Sequence, residues 1–205
     1  MIDSNLTYFE REEIKYHLFA DDMQGHRSSQ PQNAAMIVSS VQDCVVAVSK
    51  WCASKRLQLN AKKTELLWFG SVTELRKVDP SLRSLTVGTD VIQPVDVVRD
   101  LGVYFDSHLT MKAHVARVAR TCFFYLRRLR SIRRSLGRDV TARLVSALVI
   151  SRLDYCNSVL THLPASTLAP LQRVLNAAVR LVHDLGPTRD TGDVRTSLVT
   201  NCREN

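Results

Sequence analysis

The sequence has few of the residues that build disulfide frameworks or zinc sites. Its 205 residues contain five cysteines, at Cys44, Cys52, Cys122, Cys156 and Cys202. They are odd in number, widely spread and without a C-x-x-C spacing. This pattern argues against a zinc site and favours reduced thiols in an intracellular compartment.

Long apolar stretches and a secretion signal are also missing. No apolar run reaches the roughly 20 residues that span a bilayer. The N-terminal residues MIDSNL contain neither the basic region nor the apolar core of a signal peptide. We therefore expect a protein of the nucleus or cytoplasm that is not secreted and has no membrane partner. Its 45% hydrophobic and 23% charged residues are ordinary for a globular chain of one domain or two small ones.

Acidic residues are almost absent from one segment. Residues 112–152 hold eleven Lys or Arg and a single acid, Asp139. The rest of the chain holds 17 basic and 19 acidic residues, so the net charge of +8 comes from this segment. Such a one-sided distribution is typical of a surface that binds a polyanion, although a solvated helix face is the alternative.

Apolar residues in the same region recur in alternating steps of four and three from Met111 to Leu136, which predicts a helix with Gly137 as its C-terminal cap. Asp139 is predicted to cap a second helix through Ile150, and Ser166 or Thr167 a third. Seven arginines lie off the first apolar stripe and are the candidate nucleic-acid contacts: Arg117, Arg120, Arg127, Arg128, Arg130, Arg133 and Arg134.

The first half of the chain predicts a small antiparallel sheet with one helix. The helix begins at Ala34 and ends near Leu57, with Trp51 on its apolar face as a core residue. Predicted strands cover residues 15–24, 66–69 and 97–106, with Gly102 set against a neighbouring backbone. Residues 85–92 predict a hairpin, and residues 71–84 a polar connection. The fold class is therefore α+β, followed by an all-α region.

Two adjacent carboxylates end the first strand. In the block YHLFADDMQ, an apolar run leads into Asp21 and Asp22. A strand that delivers two carboxylates into a tight turn can hold divalent cations, as two-metal nucleotidyl transferases require. The alternative is a solvent-exposed turn that binds no metal, because Asp favours turns through hydrogen bonds of its side chain to the backbone.

Three further blocks follow in order: WCASKRLQLNAKKTE at 51–65, VRDLGVYFDSHL at 98–109 and SRLDYCNSVL at 151–160. Together with the Asp-Asp block they resemble the reverse transcriptase of non-LTR (LINE-type) retrotransposons, from about Lys15 to about Asp184. The resemblance implies RNA-templated DNA synthesis from a primer, with dNTPs as substrate, Mg²⁺ as cofactor, and an RNA template and a DNA primer as partners.

The resemblance also implies roles for single residues. Asp21 and Asp22 match the catalytic metal-binding pair, with Asp21 as the direct ligand. Lys63 matches a lysine near the incoming triphosphate, unless it is only an exposed lysine before a strand. Leu101 and Gly102 match the region that grips the primer terminus, unless Gly102 serves sheet packing alone.

Only twenty residues precede Asp21, whereas the family places a partner carboxylate on an earlier strand. We expect the fingers and this first catalytic strand to be absent, which leaves a partial palm at 1–108, a helical thumb at 109–187 and a disordered tail at 188–205. Residues 23–27 depart from the family pattern, so the return strand after Asp22 is doubtful.

This fragment is expected to lack polymerase activity alone and to keep an idle metal site, so whether the chain is an enzyme stays open. One alternative is a non-enzymatic remnant that binds nucleic acid through its arginine-rich helix. Another is a gene-model or transcript fragment without a selected function.

Overall fold

The computed structural model describes residues 8–185, so the tail predicted at 188–205 lies outside the described residues. Within them the chain divides into two compact units. The N-terminal unit comprises residues 8–100 and 105–109, and the helical unit comprises residues 101–104 and 110–185. Helices and two-stranded sheets both occur, which confirms the predicted α+β class.

In the N-terminal unit, a helical segment at residues 8–11 is followed by a hairpin. Strands β1 (Lys15–Phe19) and β2 (Asp22–His26) pair antiparallel, with Phe19 opposite Asp22. A two-residue turn joins them, and Ala20 adopts a left-handed φ of 55° there. The return strand that departs from the family pattern is therefore present, because backbone pairing in a hairpin does not depend on side-chain identity.

Helix α1 (Ala34–Ser54) packs on this hairpin and ends three residues before the predicted position. The core of the unit is the buried cluster Phe9, Ile14, Cys44, Val48 and Cys52. Trp51 is half-buried against this cluster, as its place on the apolar stripe predicted. The segment Pro31–Ser54 is long and apolar enough to cross a membrane by length and composition. One such helix is a weak indication, because the core helix of a soluble protein passes the same test.

The remaining elements of this unit are α2 (Val72–Lys77), β3 (Leu85–Val87), β4 (Asp90–Ile92) and β5 (Val97–Asp100). The predicted hairpin is confirmed, with β3 and β4 paired antiparallel. The strand predicted at 66–69 is wrong, since Leu66 makes only an isolated bridge to Pro94.

The polar connection predicted at 71–84 is also wrong. Ser71 Oγ accepts the backbone N–H of Glu74 at 3.2 Å, and this cap starts α2. The single strand predicted at 97–106 is divided as well. β5 ends at Asp100, and β6 (Val103–Asp106) starts after a turn in which Leu101 has φ 43° and Gly102 has φ 87°. Two consecutive left-handed residues cannot continue a strand.

The helical unit consists of α3 (Lys112–Ile132), α4 (Arg138–Val145), α5 (Ser151–Asp154) and α6 (Ala165–His183). A π-helical turn, Ser146–Ile150, joins α4 to α5. The buried core comes from three stretches of chain: Val115, Ala119, Cys122, Leu126 and Leu129; Val145 and Val149; and Leu171, Val174, Ala178 and Leu181. Most of the apolar side of α3 thus faces this core, although Ile132, on the predicted stripe, is exposed.

The predicted helix caps are wrong in detail. Gly137 has φ −65° and ψ 163° and precedes α4 as its N-cap, so it does not end α3. Asp139 lies in the first turn of α4, whose N-cap has no side-chain hydrogen bond. Helix α6 begins at Ala165 after Pro164, one residue before Ser166. Pro164 is the N-cap of α6, its fixed φ suits a helix start, and no side-chain hydrogen bond caps this end.

Candidate nucleic-acid interface

One side of α3 carries most of the arginines. Successive residues of a helix are about 100° apart, so the core positions Cys122, Leu126 and Leu129 share one side. The opposite side holds Arg117, Arg120, Arg127 and Arg128, all exposed. Exposed Arg130 borders the core side, and exposed Arg134 follows in the next turn. We call these six residues the arginine face.

No acidic side chain neutralises the arginine face within residues 8–185. Ion pairs among the described residues include Arg11–Glu12, Arg27–Glu13 and Lys77–Glu74, which all lie in the N-terminal unit and involve no arginine of this face. A row of cations without local counter-charge raises the potential over that side of the helix. The face is therefore suited to a polyanion in both its charge and its exposure.

Arg133, the seventh predicted nucleic-acid contact, is hydrogen-bonded to backbone carbonyls instead. Its Nε donates to the carbonyl of Leu181 at 3.0 Å, and its Nη2 donates to the carbonyl of Val182 at 3.2 Å. Its Nη1 donates to the carbonyl of Leu136 at 2.9 Å. Carbonyls in the last turn of a helix lack intrahelical partners, so this guanidinium satisfies the end of α6. Arg133 thus ties α3 to α6 and is not part of the arginine face.

Aromatic rings accompany two of the arginines. The guanidinium carbon of Arg117 lies 5.4 Å from the ring centroid of Tyr104, and that of Arg128 lies 5.9 Å from the centroid of Phe124. Both are within cation–π range. Phe124 is not among the residues predicted from the sequence, although an aromatic residue off the apolar stripe and between arginines is a signal visible there.

Asp21 and Asp22 are both exposed at the end of the β1–β2 hairpin. Within residues 8–185 there is no group of three or more His, Cys, Asp or Glu side chains that could hold a metal. Mg²⁺ prefers octahedral oxygen coordination and is usually held by one or two carboxylates together with waters and substrate phosphates. Asp21 and Asp22 would supply two such carboxylates, and the described residues add no third side chain to them.

Lys63 ends a short 3-10 turn, Ala61–Lys63, in the N-terminal unit and is exposed. The side chain of Asn60 accepts the backbone N–H of Lys62 at 3.1 Å and caps this turn. Among the described contacts, no hydrogen bond or ion pair joins Lys63 to Asp21 or Asp22. The structure therefore does not bring the three predicted catalytic residues together by direct contact.

The predicted primer-grip residues form the turn between β5 and β6. The hydroxyl of Tyr155 donates to the carbonyl of Leu101 at 2.5 Å. A Cβ placed on Gly102 would lie 3.2 Å from Cε1 of the same tyrosine. The positive φ of Gly102 therefore favours glycine here, and the group next to Gly102 is the ring of Tyr155, whereas a neighbouring backbone was expected. Tyr155 lies in the sequence block at 151–160, for which no role of this residue was predicted.

A buried histidine supports the start of α3. His114 is 3% exposed, and its Nδ1 accepts the backbone N–H of Tyr104 at 3.4 Å. Burial lowers the pKa of His114 below its usual value, because the charged imidazolium loses its hydration. The neutral ring that this bond requires is therefore the form that burial favours.

The buried thiols have raised pKa values. Burial, aided by the carboxylate of Glu12, raises the pKa of Cys44 to about 11. Burial also raises the pKa of Cys52 and of Cys122. These thiols are packing residues, because a thiol that stays protonated is a poor nucleophile.

Comparisons with known proteins identify no family. No protein-family model, no curated protein and no solved structure matches this chain. A functional assignment therefore rests on the chemistry of the residues described above.

Proposed function

We propose that this chain is the palm and thumb portion of a non-LTR retrotransposon reverse transcriptase, and that by itself it binds nucleic-acid backbones through the arginine face. The observation that carries the proposal is a row of six exposed arginines without an acidic partner among the described residues. Its partners are an RNA template and a DNA primer, and its location is the nucleus or the cytoplasm.

The dimensions of α3 suit a duplex backbone. A helix rises 1.5 Å per residue, so Arg117 and Arg130 are about 20 Å apart along the axis. A duplex rises 3.4 Å per base pair, so this span covers about six base steps. Arg guanidinium groups bind phosphates in a bidentate geometry that lysine cannot reproduce. The contacts would therefore follow the backbone over roughly half a helical turn.

Backbone contact gives affinity without sequence preference. We expect a fluorescein-labelled RNA–DNA duplex to bind the chain with similar affinity whatever its base sequence, measured by fluorescence anisotropy. Binding should weaken steeply with added salt. Sequence-selective binding, or binding that salt leaves unchanged, would contradict the proposal.

Synthesis is a separate matter from binding. Because the described residues join no third metal-binding side chain to Asp21 and Asp22, we predict no template-dependent primer extension by the 205-residue chain with Mg²⁺ or Mn²⁺. Primer extension that disappears in Asp21→Asn would show that the chain is an active polymerase.

The second candidate is a non-enzymatic nucleic-acid-binding protein. It is favoured by one observation: the arginine face belongs to the helical unit, whereas the two carboxylates belong to the N-terminal unit. Binding should accordingly persist in a variant that carries both Asp21→Asn and Asp22→Asn. Removing two negative charges should not weaken the binding of a polyanion, so a loss of affinity in this variant would tie binding to the carboxylates.

A further inference from the structure

A single aromatic side chain lies in the middle of the arginine face. Phe124 is 48% exposed on α3. Side chains three and four residues apart are neighbours on a helix surface, so Arg120, Arg127 and Arg128 surround Phe124. Arg117 lies one further turn along the same side. The ring is therefore enclosed by the charges that the proposed function assigns to phosphate binding.

Contacts with neighbours orient this ring. The Arg128 guanidinium carbon is 5.9 Å from the centroid of Phe124. The ring of Tyr125 meets Phe124 edge-on, with centroids 5.5 Å apart and planes inclined by 77°. Tyr125 in turn lies under Arg152, whose guanidinium carbon is 5.0 Å from its centroid. Phe124 is thus held in a row of two cations and two rings while half of its surface stays open to solvent.

We propose that Phe124 is a stacking site for an unpaired nucleobase, and that the helical unit prefers nucleic acid with a single-stranded segment to a continuous duplex. This inference rests on the proposed function and names the substrate class more closely. Proteins that bind single strands combine a positively charged track for the backbone with aromatic rings on which bases stack. Every base has a π-face, so such a site tolerates any sequence.

A duplex cannot use this ring in the same way. Its base faces are covered by their stacked neighbours, and only an end, a gap or a single strand offers a free face. The surrounding arginines would bind the phosphates on both sides of the stacked nucleotide, as they would in a duplex. The structure therefore separates two contributions: the arginines supply affinity for any strand, and Phe124 supplies the preference for an unpaired base.

The same helix offers a matched control. Ile132 is also 48% exposed on α3, but it is aliphatic and lies one turn beyond Arg128, at the end of the helix. Truncation of either side chain removes exposed apolar surface of similar extent, so general loss of hydrophobic contact should affect both variants equally. Only truncation of Phe124 removes an aromatic plane between arginines. Phe124→Tyr retains that plane and tests whether binding follows aromaticity.

The experiment compares wild type, Phe124→Ala, Phe124→Tyr and Ile132→Ala in the full chain. The ligands are an oligonucleotide carrying 2-aminopurine, as a single strand, and the same length of RNA–DNA duplex without it. Base stacking quenches 2-aminopurine, and excitation beyond the tryptophan absorption isolates its signal. Circular dichroism confirms that each variant keeps its helices.

We expect wild type to quench the probe and Phe124→Ala to lose both the quenching and about 10- to 100-fold of single-strand affinity. Its duplex affinity should stay within about twofold, since the phosphate contacts remain. Phe124→Tyr and Ile132→Ala should behave as wild type.

The stacking site is excluded if Phe124→Ala still quenches the probe, or if it weakens single strand and duplex equally. If wild type binds the duplex and Phe124→Ala binds the single strand as tightly as wild type does, only the stacking site is refuted. Failure of wild type to bind either ligand would refute the arginine face as well.

Discussion

Replacing Arg127, Arg128 and Arg130 by glutamine removes half of the arginine face and keeps the fold. Glutamine has nearly the helix propensity of arginine. All three side chains are exposed and off the buried core. We therefore expect the free energy of unfolding to change by no more than about 0.5 kcal/mol per substitution, or about 1.5 kcal/mol for all three.

The size of the binding effect follows from the number of contacts. If each of the six arginines neutralises one duplex phosphate, log K should fall against log salt with a slope of about −5.4, and of about −2.7 in the triple variant. Between 50 and 200 mM salt, wild-type affinity should then fall by roughly 2,000-fold and variant affinity by about 40-fold. Arg133 is left out because its guanidinium already donates to three carbonyls.

The assay is fluorescence anisotropy at four salt concentrations, with two duplexes of unrelated sequence. Lys50→Gln, Lys55→Gln and Lys62→Gln together form the control, because they are exposed in the N-terminal unit and remove the same three charges from a net +8. The control should keep the wild-type slope. If the arginine variant keeps both wild-type affinity and slope, the arginines are a solvated helix face. If the control loses as much, net charge alone explains the binding.

Three further predictions concern the fold. Gly102→Ala should destabilise the helical unit by about 1–2 kcal/mol in urea unfolding, because this residue has a positive φ. Gly137→Ala, at a negative φ and with open space around it, should cost less than Gly102→Ala, and equal losses would contradict the backbone strain at Gly102. Burial lowers the pKa of His114 in the folded chain, so as the pH falls the unfolded chain binds this proton first, and the free energy of unfolding should be highest above pH 6.5 and fall below it. His114→Gln should show a smaller fall in the free energy of unfolding between pH 7.5 and 5.5, and an unchanged fall would refute His114 as its cause. In the Cys202→Ser variant at pH 8, a thiol reagent should modify half-exposed Cys156 first. It should modify buried Cys44, whose pKa is about 11, only when the chain unfolds, and equal labelling rates of the two thiols in the native chain would contradict the burial of Cys44.

The candidate site was only partly predictable. The sequence identified the arginines of α3, because their placement off a 3–4 apolar stripe is a local property of a helix. It could not separate Arg133 from the others. That distinction depends on the carbonyls of Leu181 and Val182, almost fifty residues away. Phe124 was likewise overlooked, although the apolar stripe places it among the arginines; only the structure shows its ring exposed beside Arg128.

Local patterns by themselves determined α1, α3 and the 85–92 hairpin, since periodicity and turn residues act within a few positions of the chain. The division of residues 97–106 into two strands was decided by the tertiary structure, where Tyr155 meets the turn at Leu101 and Gly102. Spacing along a chain shows which residues share a face, because helices and strands repeat regularly. Some of those residues pack against other segments, and others stay exposed and can bind a ligand. The difference depends on segments far away in sequence, which only folding brings into contact.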